Sequence, residues 1–498
     1  MTSQGHSTEP PAATSSETTS DKVFSIEQHG LEPIPAQHRH GQPRDLLWTW
    51  LGGAYNYVAL AAGALPILFG LSLWQALLAV VIGNVLGAIV FGLCAIHGPR
   101  TATATIVNTR AALGHKGNLI AAGISFFSVS GWVAVNSVLA SFALIQLLGV
   151  VGIVLSTAMT AVLVACVLIA QMAIAIYGHA TVMATERVFA IASSILLTGL
   201  LVFVLPHVDW LQPAGTELAG STTLGTWLLA LGTMFAGPLS WANYASDYSR
   251  YLPEDTDWKQ IALYSGLGMG IANVLGCTIG ALLATLVDMS DPLANIPQLL
   301  PVWYLVLFLA AVLWGAVANN VLNLYTAGLG LLALRVHAPR WVAVLVIGVG
   351  ASVLTYIAIF GYNFMDLYAQ WLILTLSFLS PWVAILLVDF WLRHGRYNVI
   401  GLHTWGRGPY WFRNGINWSA LGIYLLGIVA ALAFSNSTVW ASPLAVDYLG
   451  GADLSLFVGF LLTGTLYYLV ESRRIRAAVR ADAPASTEAS SAAADLAS

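Results

Sequence analysis

Charge is what this sequence has least of. Only 8% of its 498 residues are Asp, Glu, Lys or Arg, where a soluble domain carries roughly 25%, and 58% belong to the apolar set. That balance excludes a water-soluble globule. The 19 Lys and Arg against 23 Asp and Glu leave a net charge of −4, so neither a basic face for nucleic acid nor a strong acidic field is available. Cysteine is equally scarce: Cys94, Cys166 and Cys277 each lie in a long apolar run with no second Cys nearby and no full ligand set at metal-site spacing, which excludes a disulfide scaffold and a structural metal site. HExxH, GxSxG and Walker-type loops are missing, as are paired carboxylates in mid-span. Nothing therefore points to an enzyme, a cofactor or ATP-driven transport.

What the chain has in abundance is apolar runs of about 20 residues, the length that crosses a bilayer as a helix. Twelve spans are expected, near 46–70, 73–97, 118–147, 150–177, 183–205, 224–246, 260–287, 302–334, 341–361, 367–392, 415–435 and 452–471. The fold class expected is an all-α polytopic membrane protein. Residues 1–44 are Ser/Thr/Pro/Glu-rich without a basic start or an apolar run, and read as a disordered tail rather than a signal peptide. A second tail is expected at 473–498, starting in a basic cluster.

Sidedness follows from the positive charges. With twelve spans and the N-terminus inside, all 19 Lys and Arg fall in cytoplasmic segments. The outer loops then keep only acids: Asp209, Glu217, Asp288, Asp291, Asp366, Asp447 and Asp453. Three carboxylates, Glu186, Asp247 and Asp389, fall near cytoplasmic helix ends and read as solvated or end-capping groups.

The chemistry is concentrated where helices are interrupted. Span one carries Gly52-Gly53-Ala54-Tyr55-Asn56-Tyr57, two glycines and an amide in hydrocarbon. Span six carries Gly237-Pro238-Leu239-Ser240-Trp241, where proline frees the carbonyl one turn back. Breaks at corresponding places of two five-helix halves point to a site at the membrane midplane. Spans three and eight, also five apart, place Trp132 and Asn136 on one helical face and Asn319 and Asn323 on another. Asn320 is as readily a link between two helices as a ligand group. Aromatic faces stack on any π-system, and amides offer donor and acceptor together. The pattern suits a small, flat, neutral, polar ring.

The stretch WANYASDYSRYLP (Trp241 to Pro253) resembles the sixth-helix signature of the nucleobase:cation symporter-1 family, in its purine/cytosine permease branch. WLGGAYNYVALAAGALPILFGL in the first helix, GWVAVN (Gly131 to Asn136), ANNVLNLYTAGL (Ala318 to Leu329) and PWVAILLVDFWLRHGRYN (Pro381 to Asn398) are similar too, in the same order. The resemblance implies a leucine-transporter-like 5+5 inverted repeat, with halves at 45–205 and 206–392, two further helices in 393–472, and alternating access around a nucleobase. It assigns the stacking aromatic to Trp132, amides to Asn136, Asn319 and Asn323, and the sixth-helix wall to Gly237, Pro238, Ser240 and Trp241, with Asn56 beside them. Sodium-dependent relatives place hydroxyls just before the first eighth-helix amide, where this chain has Val317 and Ala318. Hard cations want oxygen ligands, so proton coupling is expected over sodium. The expected partners are a nucleobase and the lipid bilayer, with no nucleic acid, no obligate protein partner, and the plasma (inner) membrane as location. Another flat heterocycle, such as allantoin, uracil, hydantoin or a thiamine-precursor pyrimidine, is the alternative cargo. A membrane-embedded enzyme or passive channel is a third, weaker reading.

Overall fold

The computed structural model describes residues 31–495 except 177–178, 216–220, 291, 337–339 and 438–439. The side chains of residues 179–190, 292, 294, 340, 343 and 482–495 also lie outside the description. Most of the expected N-terminal tail, with Lys22, therefore falls outside it, as do Glu217, Asp291 and the side chains of Glu186 and Arg187.

Fourteen principal helices are found among the described residues: α1 Pro43–Ala54, α2 Tyr57–Leu68, α3 Leu73–Ala95, α4 Asn118–Val150, α5 Thr157–Ile176, α6 His179–Val204, α7 Thr223–Ser240, α8 Ala245–Ser249, α9 Trp258–Leu283, α10 Val302–Ala333, α11 Arg340–Phe360, α12 Phe364–Arg393, α13 Trp418–Ala433 and α14 Ser455–Asp495. The fold is all-helical, with a helix at each of the expected spans. Among the described residues seven helices are long and apolar enough to cross a membrane, and the α1–α2 pair, bent by 64°, adds an eighth. Starts are encoded locally. Gln42 N–H donates to Asp45 (2.7 Å) ahead of Pro43, and Ser72 N–H donates to Gln75 (3.0 Å) ahead of α3. Both satisfy N–H groups that a helix start leaves open.

Two helix groups form the body. In one, α3 lies against α7 and α9, and α9 against α1 and α2; in the other, α4 lies along α10, with α5, α6 and α11 beside them. The most extensive packings thus join span three to span eight and span two to span seven. Glycines set the first group's spacing. A Cβ on Gly63 would stand 1.9 Å from the Cys277 carbonyl oxygen, and one on Gly280 would stand 1.8 Å from that of Leu60. Small residues that let backbones touch are how helices associate where lipid removes the hydrophobic drive.

The basic segments meet at one end of the bundle. Arg39 donates to the Pro99 carbonyl (3.3 Å), Arg110 to that of Leu402 (3.0 Å) and Arg393 to that of Ala111 (2.9 Å), while Arg335 lies 4.1 Å from the centre of the Trp405 ring. At the other end Gly215 N–H donates to the Gly70 carbonyl (3.0 Å) and Thr222 N–H to that of Gly450 (2.8 Å). Segregation of the loops by charge is therefore physical.

Three expectations change. Residues 31–44 are docked: Ile34 is buried and its N–H donates to the Ala102 carbonyl (2.9 Å). The basic segment from Arg473 continues α14, where Arg474 pairs with buried Glu471, itself the acceptor of the Ser419 hydroxyl. Asp247 and Asp389 are buried rather than solvated. Asp389 accepts from Arg393 Nε (2.7 Å) and the hydroxyls of Tyr397 (3.1 Å) and Tyr467 (2.8 Å), which binds α12 to α14. The arginine one turn later supplies the countercharge that lets the carboxylate leave water.

Two predictions follow from this architecture. Gly280→Ala should cost about 1–3 kcal/mol of stability, whereas Gly350→Ala, whose methyl meets nothing within 4 Å, should be neutral; thermal unfolding of the detergent-purified protein reads both. In the loops at the basic end, burial and the nearby Arg110 lower His403 to about 4 and also lower His115. Both are held neutral below the ordinary imidazole value of about 6.5. The contribution of His403 is complete above about pH 6.5 and is lost as the pH falls toward about 4, and that of His115 is lost in the same direction, because the unfolded chain takes up the protons first. His403→Gln should flatten that acid slope of melting temperature.

Candidate functional site

The backbone break between α1 and α2 sets the site. Gly53 and Ala54 end α1, and Asn56 starts α2 by accepting from the N–H groups of Val58 (2.9 Å) and Ala59 (3.4 Å). Its Nδ2 turns back to the Gly53 carbonyl (2.8 Å), which also accepts from Asn319 Nδ2 (3.3 Å). An unwound carbonyl in hydrocarbon requires such donors. The second break lies later than the sequence suggests. Pro238 stays inside α7, and unwinding comes at the 3-10 turn Trp241–Tyr244 before α8.

A cavity opens between the two breaks and the two helix groups. About 520 Å³ of empty space, part of it open to the surroundings, lies between its walls. Eight of the nine residues expected at the site line it: Asn56, Trp132, Asn136, Gly237, Ser240, Trp241, Asn319 and Asn323. Pro238 does not. A Cβ on Gly87 of α3 would stand 3.1 Å from the Pro238 ring, so this residue faces the neighbouring helix rather than the cavity.

The amides divide by what they already bind. Asn320 donates to the Val133 carbonyl (2.9 Å), Ser137 Oγ (2.9 Å) and Gln171 Oε1 (3.0 Å), joining α10 to α4 and α5. It is a link between helices. Asn323 accepts from the Tyr244 hydroxyl (2.6 Å) and donates to Asn320 Oδ1 (3.1 Å), which ties α10 to the second break. Asn136 donates to the Trp132 carbonyl (2.9 Å), but its Oδ1 and the indole N–H of Trp132 are buried without a partner. Unmet polar atoms of this kind cost about 1–3 kcal/mol each. One acceptor and one donor, four residues apart on α4, are thus free for a ligand. Trp132 meets Tyr368 edge-on at 6.1 Å, and Trp241 lies 5.2 Å from Tyr244 and 6.1 Å from Trp50.

Beyond the cavity, toward the basic end, polar contacts fasten the second break. Ser125 donates to Asn243 Oδ1 (2.8 Å). Asp247 accepts from the N–H (2.8 Å) and hydroxyl (3.1 Å) of Thr105 and from the Thr326 hydroxyl (3.1 Å). Helices α4, α8 and α10 are held together there.

Residues not picked from the sequence also line the cavity, among them Asn84, Asn273, Cys277, Tyr244 and Tyr368. A signal existed for two of them. Asn-Val-Leu-Gly occurs at 84–87 and again at 273–276, in spans five apart.

A sequence profile described as permease for cytosine/purines, uracil, thiamine, allantoin matches residues 33–459. The candidate purine-cytosine permease YxlA of Bacillus subtilis is 29% identical over 469 residues, covering 91% of this chain and 97% of its own length. The vitamin B6 transporter TPN1 of Saccharomyces cerevisiae is 23% identical over 355 residues, 64% of this chain and 58% of its own. Among solved structures, Mhp1, a nucleobase-cation-symport-1 family transporter in a closed conformation with bromovinylhydantoin bound, superposes with a TM-score of 0.70 at 18% identity, covering 91% of this chain and 96% of that one. That likeness shows a shared fold.

Asn320→Leu should lower stability by about 1–3 kcal/mol, because Ser137 and Gln171 lose the donor between them. Thermal unfolding in detergent measures it.

Proposed function

The chain belongs to the family of permeases for cytosine/purines, uracil, thiamine and allantoin, and from that premise we propose that this multi-pass membrane transporter imports a nucleobase, cytosine or a purine, by proton symport. One observation carries the reading. Two tryptophans and four amide-bearing side chains, expected from four separate stretches of sequence, line one cavity at two helix breaks. The base stacks on Trp132 and Trp241 and offers its edge to Asn136 and Asn323.

Import then needs alternating access between two faces of that cavity. The two helix groups, with their five-apart pairings, favour a 5+5 inverted repeat that rocks one group on the other. The first described residues and the basic stretch from Arg473 lie on one side, which is cytoplasmic by the positive-inside rule, in the plasma membrane.

Proton rather than sodium coupling rests on two features. Val317 and Ala318 bring no hydroxyl, and the Gly53 carbonyl already accepts from two amides, leaving little for a cation that wants several oxygen ligands. One charge moved through 100 mV contributes about 2.3 kcal/mol, roughly a 50-fold accumulation of a neutral base. The relative named for vitamin B6 and the solved relative holding bromovinylhydantoin favour a second reading. In it the cargo is another flat heterocycle, such as allantoin, uracil, hydantoin or a thiamine-precursor pyrimidine, with sodium as the alternative ion.

Labelled cytosine should accumulate in proteoliposomes under an inward proton gradient without sodium. Uptake only after sodium is added would reverse the ion assignment, and no uptake with either ion would move the cargo to the second reading. Within the site, Trp132→Ala should weaken base binding by about 1–3 kcal/mol and Trp132→Phe by less, read by equilibrium binding. Equal losses would make the indole a packing residue. Asn323→Ala should cost about 1–3 kcal/mol of affinity as well; unchanged affinity would remove Asn323 from the site.

A further inference from the structure

The cavity has a second polar wall, made by the helix group opposite to the one that carries Trp132 and Asn323. Asn84 of α3 and Asn273 of α9 occupy it, both buried. Their orientations are fixed by what their nitrogens do. Asn84 Nδ2 donates to the Val80 carbonyl (2.8 Å), and Asn273 Nδ2 donates to the Met269 carbonyl (2.9 Å) with Met269 Sδ at 3.2 Å. Each amide therefore points its oxygen the other way. Both oxygens lie beside Gly237: a Cβ built there would stand 3.2 Å from Asn273 Oδ1 and 3.8 Å from Asn84 Oδ1. Asn84 Oδ1 has no hydrogen-bond partner. Glycine keeps a side chain from standing in front of the two oxygens beside the second break, and the paired Asn-Val-Leu-Gly stretches deliver the two acceptors from equivalent helices.

We propose that Asn84, Asn273 and Gly237 form a subsite for an exocyclic amino group, and that it selects amino-bearing bases over their oxo counterparts. The proposal rests on the nucleobase reading and deepens it. Two acceptors with their own donors already engaged can take the two hydrogens of a neutral –NH₂ group. A carbonyl in place of that amino group meets the two amide oxygens without a hydrogen to offer and leaves them unpaired, and a site built to hydrogen-bond a group rejects the analogue that lacks it. The wall is neutral, so a charged amine is not what it fits.

The test is equilibrium binding to the purified full-length protein in sodium-free detergent buffer, comparing cytosine with uracil and adenine with hypoxanthine. The wild-type protein should bind the amino member of at least one pair more than 10-fold tighter. Asn84→Leu and Asn273→Leu, close to isosteric, should bring that ratio near one, chiefly through loss of the amino base. Trp132→Phe should weaken both members together and keep the ratio. Should either Leu variant fail to fold, Gly237→Ala, whose methyl stands in front of both oxygens, should collapse the ratio likewise. A wild-type ratio near one overturns the proposal, as does a ratio that survives these substitutions. Sodium-dependent binding that disappears in the Leu variants would make the wall a cation site and overturn it too. Absence of binding by any base would overturn the nucleobase reading itself, and the subsite with it.

Discussion

Every backbone polar group within hydrocarbon must find its partner inside the protein, and the architecture around the cavity is organised by that requirement. Where α1 stops, the Gly53 carbonyl would be stranded; Asn56 from the next turn and Asn319 from α10 both reach it. Asn56 also accepts from the first N–H groups of α2. The break is thus stable only because two amides are present, and one of them belongs to a helix far along the chain. A transporter can keep an unwound segment at its centre on this condition.

The same logic separates amides that hold the protein together from those left over for cargo. Asn320 spends its nitrogen on two other helices, and Asn323 shares its oxygen with the Tyr244 hydroxyl. Asn136 and Trp132 keep one unmet atom each. A ligand that reaches Asn323 competes with Tyr244, and Tyr244 sits on the turn that leads to Asp247 and its threonine partners. Occupancy of the cavity and fastening of the second break therefore draw on a common hydrogen-bond network.

Much of this was legible in the sequence, because hydropathy and positive charge determine which segments cross and which loops gather at one end. The residues with the strongest local oddity, Trp132, Trp241, Asn136, Asn319 and Asn323, did reach the cavity. Pro238 misled because its missing N–H signals a disturbed helix, not the direction its ring faces, and the unwinding came three residues later. Asp247 and Asp389 read as solvated because the threonines and tyrosines that receive them come from segments up to 142 residues away. Asn84 and Asn273 were readable only as a pair, through the repetition of four residues, since each alone is one amide in an apolar run.

The glycine crossing of α2 and α9 has a mechanical consequence. With Gly63 against the Cys277 carbonyl and Gly280 against that of Leu60, the two backbones touch with no side chain between them, so neither can slide along the other without collision. Those helices travel as a single lever. Displacement during a transport cycle has to be absorbed at other contacts, and the cavity between the two helix groups is the seam where side chains rather than touching backbones face each other.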